Sequence, residues 1–136
     1  MPYRLRDYQA VAAGAALGSV ARFLCSLAML ELLGGGFGWG TLTVNVLGSL
    51  LIGFYATLTE PTGRLPVGPT MRHFTMAGFC GGFTTFSVFS LETVLLLEQR
   101  AFALAGVSIA GSVFLWLSAA GIGHLIAARL NDRRAP

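Results

Sequence analysis

The run Gly78-Phe-Cys-Gly-Gly-Phe-Thr-Thr-Phe-Ser-Val-Phe-Ser90 mixes glycines, hydroxyls and aromatic rings inside a stretch apolar enough to cross a bilayer. Gly78, Gly81 and Gly82 loosen a helix, while Thr84, Thr85, Ser87 and Ser90 add hydroxyls. Backbone released from helical hydrogen bonding inside a membrane is tolerated only where protein buries it or a polar cavity wets it. The run therefore marks a place where something is bound or conducted. Phe83 and Phe86 are three residues apart, as are Thr84 and Ser87, and Ser87 and Ser90. That spacing sets side chains on one helix face. A phenylalanine ring has a positive edge, so two rings presented edge-on attract a small anion without a formal charge that would hold it too tightly. Phe79 and Phe89 read instead as lipid-facing.

Polar residues in the other apolar stretches add to this. Arg22 lies roughly 20 Å along its helix at 1.5 Å per residue. An arginine at that depth costs at least a few kcal/mol and marks function by default. Either it snorkels to the far headgroups or it faces a wet vestibule, where its permanent charge concentrates anions. Asn45 shares a face with Gly48, Ser49 and Ile52. Its amide has two N–H donors, for an anion or for a bond to a neighbouring helix. Ser108 and Ser112, four apart, either extend a hydroxyl track or bond back to their own helix.

Composition excludes much else. The 136 residues are 54% hydrophobic and only 11% charged, against roughly 25% charged in a soluble domain. The acidic residues Asp7, Glu31, Glu60, Glu92, Glu98 and Asp132 fall near span ends or outside them. No mid-membrane carboxylate is left to exchange protons. His73 and His124 are also near ends and read as interfacial. Cys25 and Cys80 lack metal-ligand spacing and read as small buried hydrophobes. No nucleophile–base pair is visible, so the chain does not read as an enzyme. All nine basic residues are arginine, several of them near span ends, which fits headgroups and topology rather than nucleic acid.

The elements that carry these residues are helices. Four stretches reach the length of about 20 residues that a span needs, at about 8–33, 39–59, 72–97 and 101–129. Arg4 and Arg6 before the first stretch resemble the start of a signal peptide, but the apolar run is too long for one. Gly34–Gly40 is a glycine turn, and the loop Pro61–Pro69, with three prolines, continues neither neighbour. Short connections imply an up-down-up-down bundle. Gly14 and Gly18, Gly48 and Gly53, and Gly111, Gly121 and Gly123 let helices approach closely. So small a bundle encloses little interior, which points to an oligomer. Arg4, Arg6, Arg64, Arg72, Arg129, Arg133 and Arg134 fall on one side of the bundle and Arg100 on the other. The positive-inside rule then predicts cytoplasmic termini.

Three motifs together resemble the Fluc family of fluoride channels, also known as CrcB proteins. They are Gly18-Ser-Val-Ala-Arg22, Gly40-Thr-Leu-Thr-Val-Asn45-Val-Leu-Gly48-Ser, and Gly78-Phe-Cys-Gly-Gly-Phe-Thr-Thr-Phe-Ser87. The resemblance covers essentially the whole chain. It implies an all-α membrane protein of four transmembrane helices, the third broken mid-membrane at the glycine-rich motif, assembled as an antiparallel homodimer with two fluoride pores. It further implies a structural sodium ion held by the backbone carbonyls of Gly78 and Gly81 from both subunits. Phe83 and Phe86 would line the pores, with Asn45 as anion donor and Thr84, Thr85, Ser87 and Ser112 as hydroxyls. Arg22 would sit in the vestibule. Val88 stands where similar sequences often carry threonine, which interrupts the hydroxyl track.

The resulting expectation is passive fluoride export across the inner (plasma) membrane of a prokaryote. The seven-to-one arginine bias conflicts with subunits inserted both ways. A small proton-coupled multidrug exporter shares the length and span count, but needs a carboxylate where the first span has Arg22. A purely structural membrane subunit fits the glycines and leaves Arg22, Asn45 and the third span unexplained.

Overall fold

The structure is a computed structural model that describes residues 5–132, so Arg4, Arg133 and Arg134 of the arginine count lie outside the described residues. Helix α1 runs over Leu5–Leu33 and α2 over Trp39–Leu58. The third span is composite: α3 (Pro69–Arg72), a π-helix (His73–Cys80), α4 (Gly81–Phe83) and α5 (Ser87–Glu98). Helix α6 covers Phe102–Asp132. Four helical stretches are long and apolar enough to span a membrane, with mean hydropathy of 1.5 to 1.8 in their most apolar windows. At 1.5 Å per residue even α2, the shortest, extends about 30 Å, the thickness of a hydrocarbon core. No strand occurs among the described residues.

Glycine decides how these helices pair. Helix α1 packs on the π-helix and α4, and α2 packs on α6. A Cβ added at Gly14 or Gly18 would collide with the carbonyl oxygen of Phe74 or Phe79, and one at Gly82 with that of Ala15. One at Gly78 would come within 2.8 Å of the Val11 carbonyl oxygen. In the other pair, Gly53 rests against Ala120 and Gly123 against Leu50. Lipid tails are as apolar as leucine, so backbones brought this close supply the attraction that water would otherwise drive. Gly111 and Gly121, expected to serve the same purpose, face open space in the single chain.

The connections are closed by backbone and side-chain caps. Gly34, at φ 76°, takes the left-handed conformation after α1, and its N–H bonds the Leu30 carbonyl at 2.9 Å. After α5, the N–H of Ala101 bonds Leu96 O and that of Arg100 bonds Leu97 O, with Arg100 itself at φ 57°. This paired bonding is the Schellman arrangement, here built without glycine. Arg72 bonds Thr59 O (2.6 Å), Thr59 Oγ1 (2.9 Å) and Ala56 O (3.3 Å), satisfying carbonyls at the end of α2. It ties the third span to the second, beyond any role in topology.

The glycine-rich run stays helical where the sequence suggests a break. Gly81 has helical angles (φ −63°, ψ −37°), and its N–H reaches both Gly78 O and Met76 O, the wider pattern that ends the π-helix. Gly78 and Gly82 are small because α1 presses on them. Helical backbone stops at Phe83: Thr84 is extended (φ −83°, ψ 162°), and α5 starts only at Ser87. The interruption thus comes just after the glycines, at threonine.

Candidate functional site

The interruption is held by an amide from another helix. In an unbroken helix the Thr85 N–H would bond the Gly81 carbonyl. Here it bonds Asn45 Oδ1 at 2.7 Å, while Asn45 Nδ2 donates to Thr85 O at 2.8 Å. Asn45 and Thr85 are both buried, at 5% and 7% exposure. The amide therefore satisfies both backbone groups of the residue that has left the helix, which would each be costly to bury alone. One of the two N–H donors expected for an anion is thereby used. Asn45 is first a clamp on the third span.

Arg22 acts on the same few residues. Its Nη1 donates to the Thr84 carbonyl at 3.2 Å, just past the end of α4. The guanidinium is thus turned into the protein and cannot be described as merely snorkelling. Thr84 Oγ1 bonds back to Cys80 O at 2.9 Å. Thr85 Oγ1 accepts from the Val88 N–H at 3.2 Å and lies 3.3 Å from Ser87 Oγ, so it caps the restart at α5. Ser90 Oγ donates to Phe86 O at 2.9 Å. Gly48 makes room for all this, since a Cβ there would strike the Thr84 methyl.

A cavity of about 280 Å³ opens beside the interruption. Its α2 wall is Asn45, Gly48, Ser49 and Ile52, the four residues whose spacing placed them on one face. Its opposite wall includes Gly81, Thr84, Thr85 and Phe86, and α6 contributes Trp116. A second cavity, about 610 Å³, lies toward the glycine turn and includes Thr41, Val88, Glu92 and Ser108. Glu92 sits about 9 Å inside the end of α5 and accepts a 2.7 Å bond from Thr41 Oγ1.

The phenylalanines differ from expectation. Phe83 ends α4 and Phe86 closes the interruption just before α5, so the two do not share a helix face. Phe83 is buried (8% exposed) and stacked on Phe79 with ring centroids 5.8 Å apart, whereas Phe86 is 72% exposed and borders the cavity. Phe89, expected to meet lipid, is buried edge-on against Trp116, with centroids 4.9 Å apart. Ser112 is buried one turn from Trp116. The sequence reading missed Trp116, although it continues the four-residue step from Ser108 and Ser112. It also missed the inward turn of Glu92, for which local sequence carries no signal. No cluster of acidic, histidine and cysteine side chains suited to a metal occurs among the described residues, so a cation here would depend on carbonyl oxygens.

The chain is similar over most of its length to proteins of one kind. A protein of Opitutus terrae named fluoride-specific ion channel FluC is 52% identical over 125 residues, 92% of this chain and 95% of that protein. One of Rhodopseudomonas palustris, fluoride-specific ion channel FluC 1, is 49% identical, with 93% of each chain covered. A third, from Methylocella silvestris and named fluoride-specific ion channel FluC, is 47% identical over 94% of this chain and 98% of its own. Residues 9–124 match the family described as CrcB-like protein, Camphor Resistance (CrcB), and the chain belongs to that family.

Proposed function

We propose that two copies of this chain, inserted antiparallel, form a passive fluoride-selective channel with two pores in the inner membrane of a prokaryote. Relatives about half identical over nearly the full chain are named for that activity, and this is the observation that carries the reading. The site gives it a physical basis. Hydrogen fluoride crosses membranes as the neutral acid and ionises inside, so an open path for the anion suffices for export. Fluoride is small and strongly hydrated. A path lined by N–H, O–H and ring edges can replace part of its water shell.

In this reading the interruption at Thr84–Phe86 lies mid-membrane, about 15 residues from the start of the third span and on the order of 22 Å along it. Asn45 offers its remaining N–H, and Phe86 a ring edge, to the ion. Thr84, Thr85, Ser87 and Ser112 supply hydroxyls nearby, and Arg22 holds positive charge at the approach. Phe83 belongs to the same motif from beneath, stacked on Phe79. With Phe86→Ile or Phe83→Ile we expect flux to be lost while the dimer still assembles. Near-normal flux in both would remove the rings from the mechanism.

A structural sodium ion fits the donor set, because a hard cation takes oxygen ligands. The Gly81 carbonyl loses its helical partner to the Asn45–Thr85 pairing, and no side chain crowds Gly81. The Gly78 carbonyl accepts one bond from Gly81 and keeps a second lone pair. The carbonyls of Gly78 and Gly81 from two subunits would hold it, and when bound it would supply a fixed positive charge there.

The arginine bias opposes dual insertion even with Arg72 turned to the end of α2, because a hydrogen-bonded guanidinium keeps its charge. Accessibility of tags on each terminus, tested from both sides of the membrane, checks this point: a single orientation would contradict the antiparallel arrangement. Expression in a fluoride-hypersensitive deletion strain checks the function, with restored growth expected. Growth no better than that of the empty strain would favour a purely structural subunit.

A further inference from the structure

We infer that the indole N–H of Trp116 is a fluoride-binding donor that ends a polar track along α6, an inference that rests on the fluoride reading above. Trp116 borders the cavity beside the interruption, and its Nε1 is buried with no hydrogen-bond partner. A buried donor left unpaired costs more than a made bond returns. An indole N–H in such a place therefore calls for an acceptor, and indole nitrogen can only donate.

Three acceptors beside the cavity are already engaged, and the Gly81 carbonyl, left free there, is assigned to the cation in the reading above. Asn45 Oδ1 accepts from the Thr85 N–H, Thr85 O from Asn45 Nδ2, and Thr84 O from Arg22. An acceptor that arrives with the solute would pair the Trp116 N–H, and an anion does so without bringing a proton of its own. The ring is held in place, since Phe89 packs on it edge-on at an interplanar angle of 76°.

Position along α6 gives the donor a purpose. Ser108, Ser112 and Trp116 recur every four residues, which places them on one helix face spanning about 12 Å. Ser108 borders the second cavity, Ser112 is buried, and Trp116 borders the first. The three groups form a line between two cavities. On this account Trp116 receives the ion where the hydroxyls end, across from Asn45 and Ser49.

The test uses the full-length protein reconstituted in lipid, labelled at the indole nitrogens. Its two tryptophans, Trp39 and Trp116, give two indole signals, assigned by the loss of one in Trp116→Phe. Titration with sodium fluoride should shift the Trp116 N–H signal saturably downfield, whereas sodium chloride at equal ionic strength should leave it in place. In liposomes Trp116→Phe, which keeps a ring against Phe89, should slow fluoride efflux about tenfold, the scale of one lost bond to a charged acceptor. Replacement by benzothienylalanine, with sulfur in place of N–H, should slow it equally. A Trp116 signal blind to fluoride overturns the inference even if flux falls, because packing or a bound water would then account for the residue. Unchanged flux in both variants overturns it as well. If the wild-type protein passes no fluoride, the channel reading fails, and the titration still decides whether Trp116 binds the ion.

Discussion

The third and fourth spans, Pro69–Glu98 and Phe102–Asp132, are 30 and 31 residues long with similar hydropathy, 1.5 and 1.8. One is helical throughout; the other passes through a π-helix and then leaves helical geometry at Thr84. Both are glycine-rich and both pack closely on a neighbour through glycine, so glycine content does not separate them. The residue that α2 presents to each does. Facing Thr85 stands Asn45, whose amide replaces both hydrogen bonds that the residue gives up; facing Ala120, on α6, stands Gly53, which has no side chain to offer. An irregular segment in an apolar environment persists where a neighbouring side chain completes its hydrogen bonds.

The most damaging way to erase this contrast is Asn45→Ala. It leaves the Thr85 N–H and C=O unpaired and should destabilise the fold by about 2–4 kcal/mol for two buried bonds, with loss of fluoride flux. Equilibrium unfolding in mixed micelles, alongside flux, checks it. Next in size, Gly18→Ala drives a methyl into the Phe79 carbonyl and should cost about 1–3 kcal/mol as overpacking. The matched change Gly111→Ala, made where the single chain leaves open space, should stay within about 0.5 kcal/mol in the monomer. Equal losses at the two positions would mean that glycine packing does not distinguish these faces. A modest gain is expected elsewhere: Arg100→Gly relieves a left-handed residue after α5 and should stabilise by up to about 1 kcal/mol, read as a rise in Tm.

What the sequence could reveal follows from the range of each interaction. Four apolar helical stretches and the shared face of Asn45, Gly48, Ser49 and Ile52 are set by local composition and helical periodicity, and the structure has both. The place of the interruption within the glycine-rich motif is decided by a pair 40 residues apart in sequence, Asn45 and Thr85, so the glycines drew attention to the correct neighbourhood without fixing the residue. Phe83 and Phe86 were grouped by a periodicity that the interruption cancels. Phe89 was assigned to lipid because nothing local shows that Trp116 covers it. Arg22 left two readings open, and its bond to Thr84 points to a third, the fastening of the irregular segment from α1.

We propose that this segment, fastened by Asn45 and Arg22, selects fluoride. The decisive measurement is efflux from liposomes carrying the purified protein, followed with a fluoride electrode and in parallel with a chloride electrode. Fast fluoride efflux with chloride retained is the predicted result. Equal efflux of the two ions, or fluoride efflux no faster than from protein-free liposomes, would contradict it.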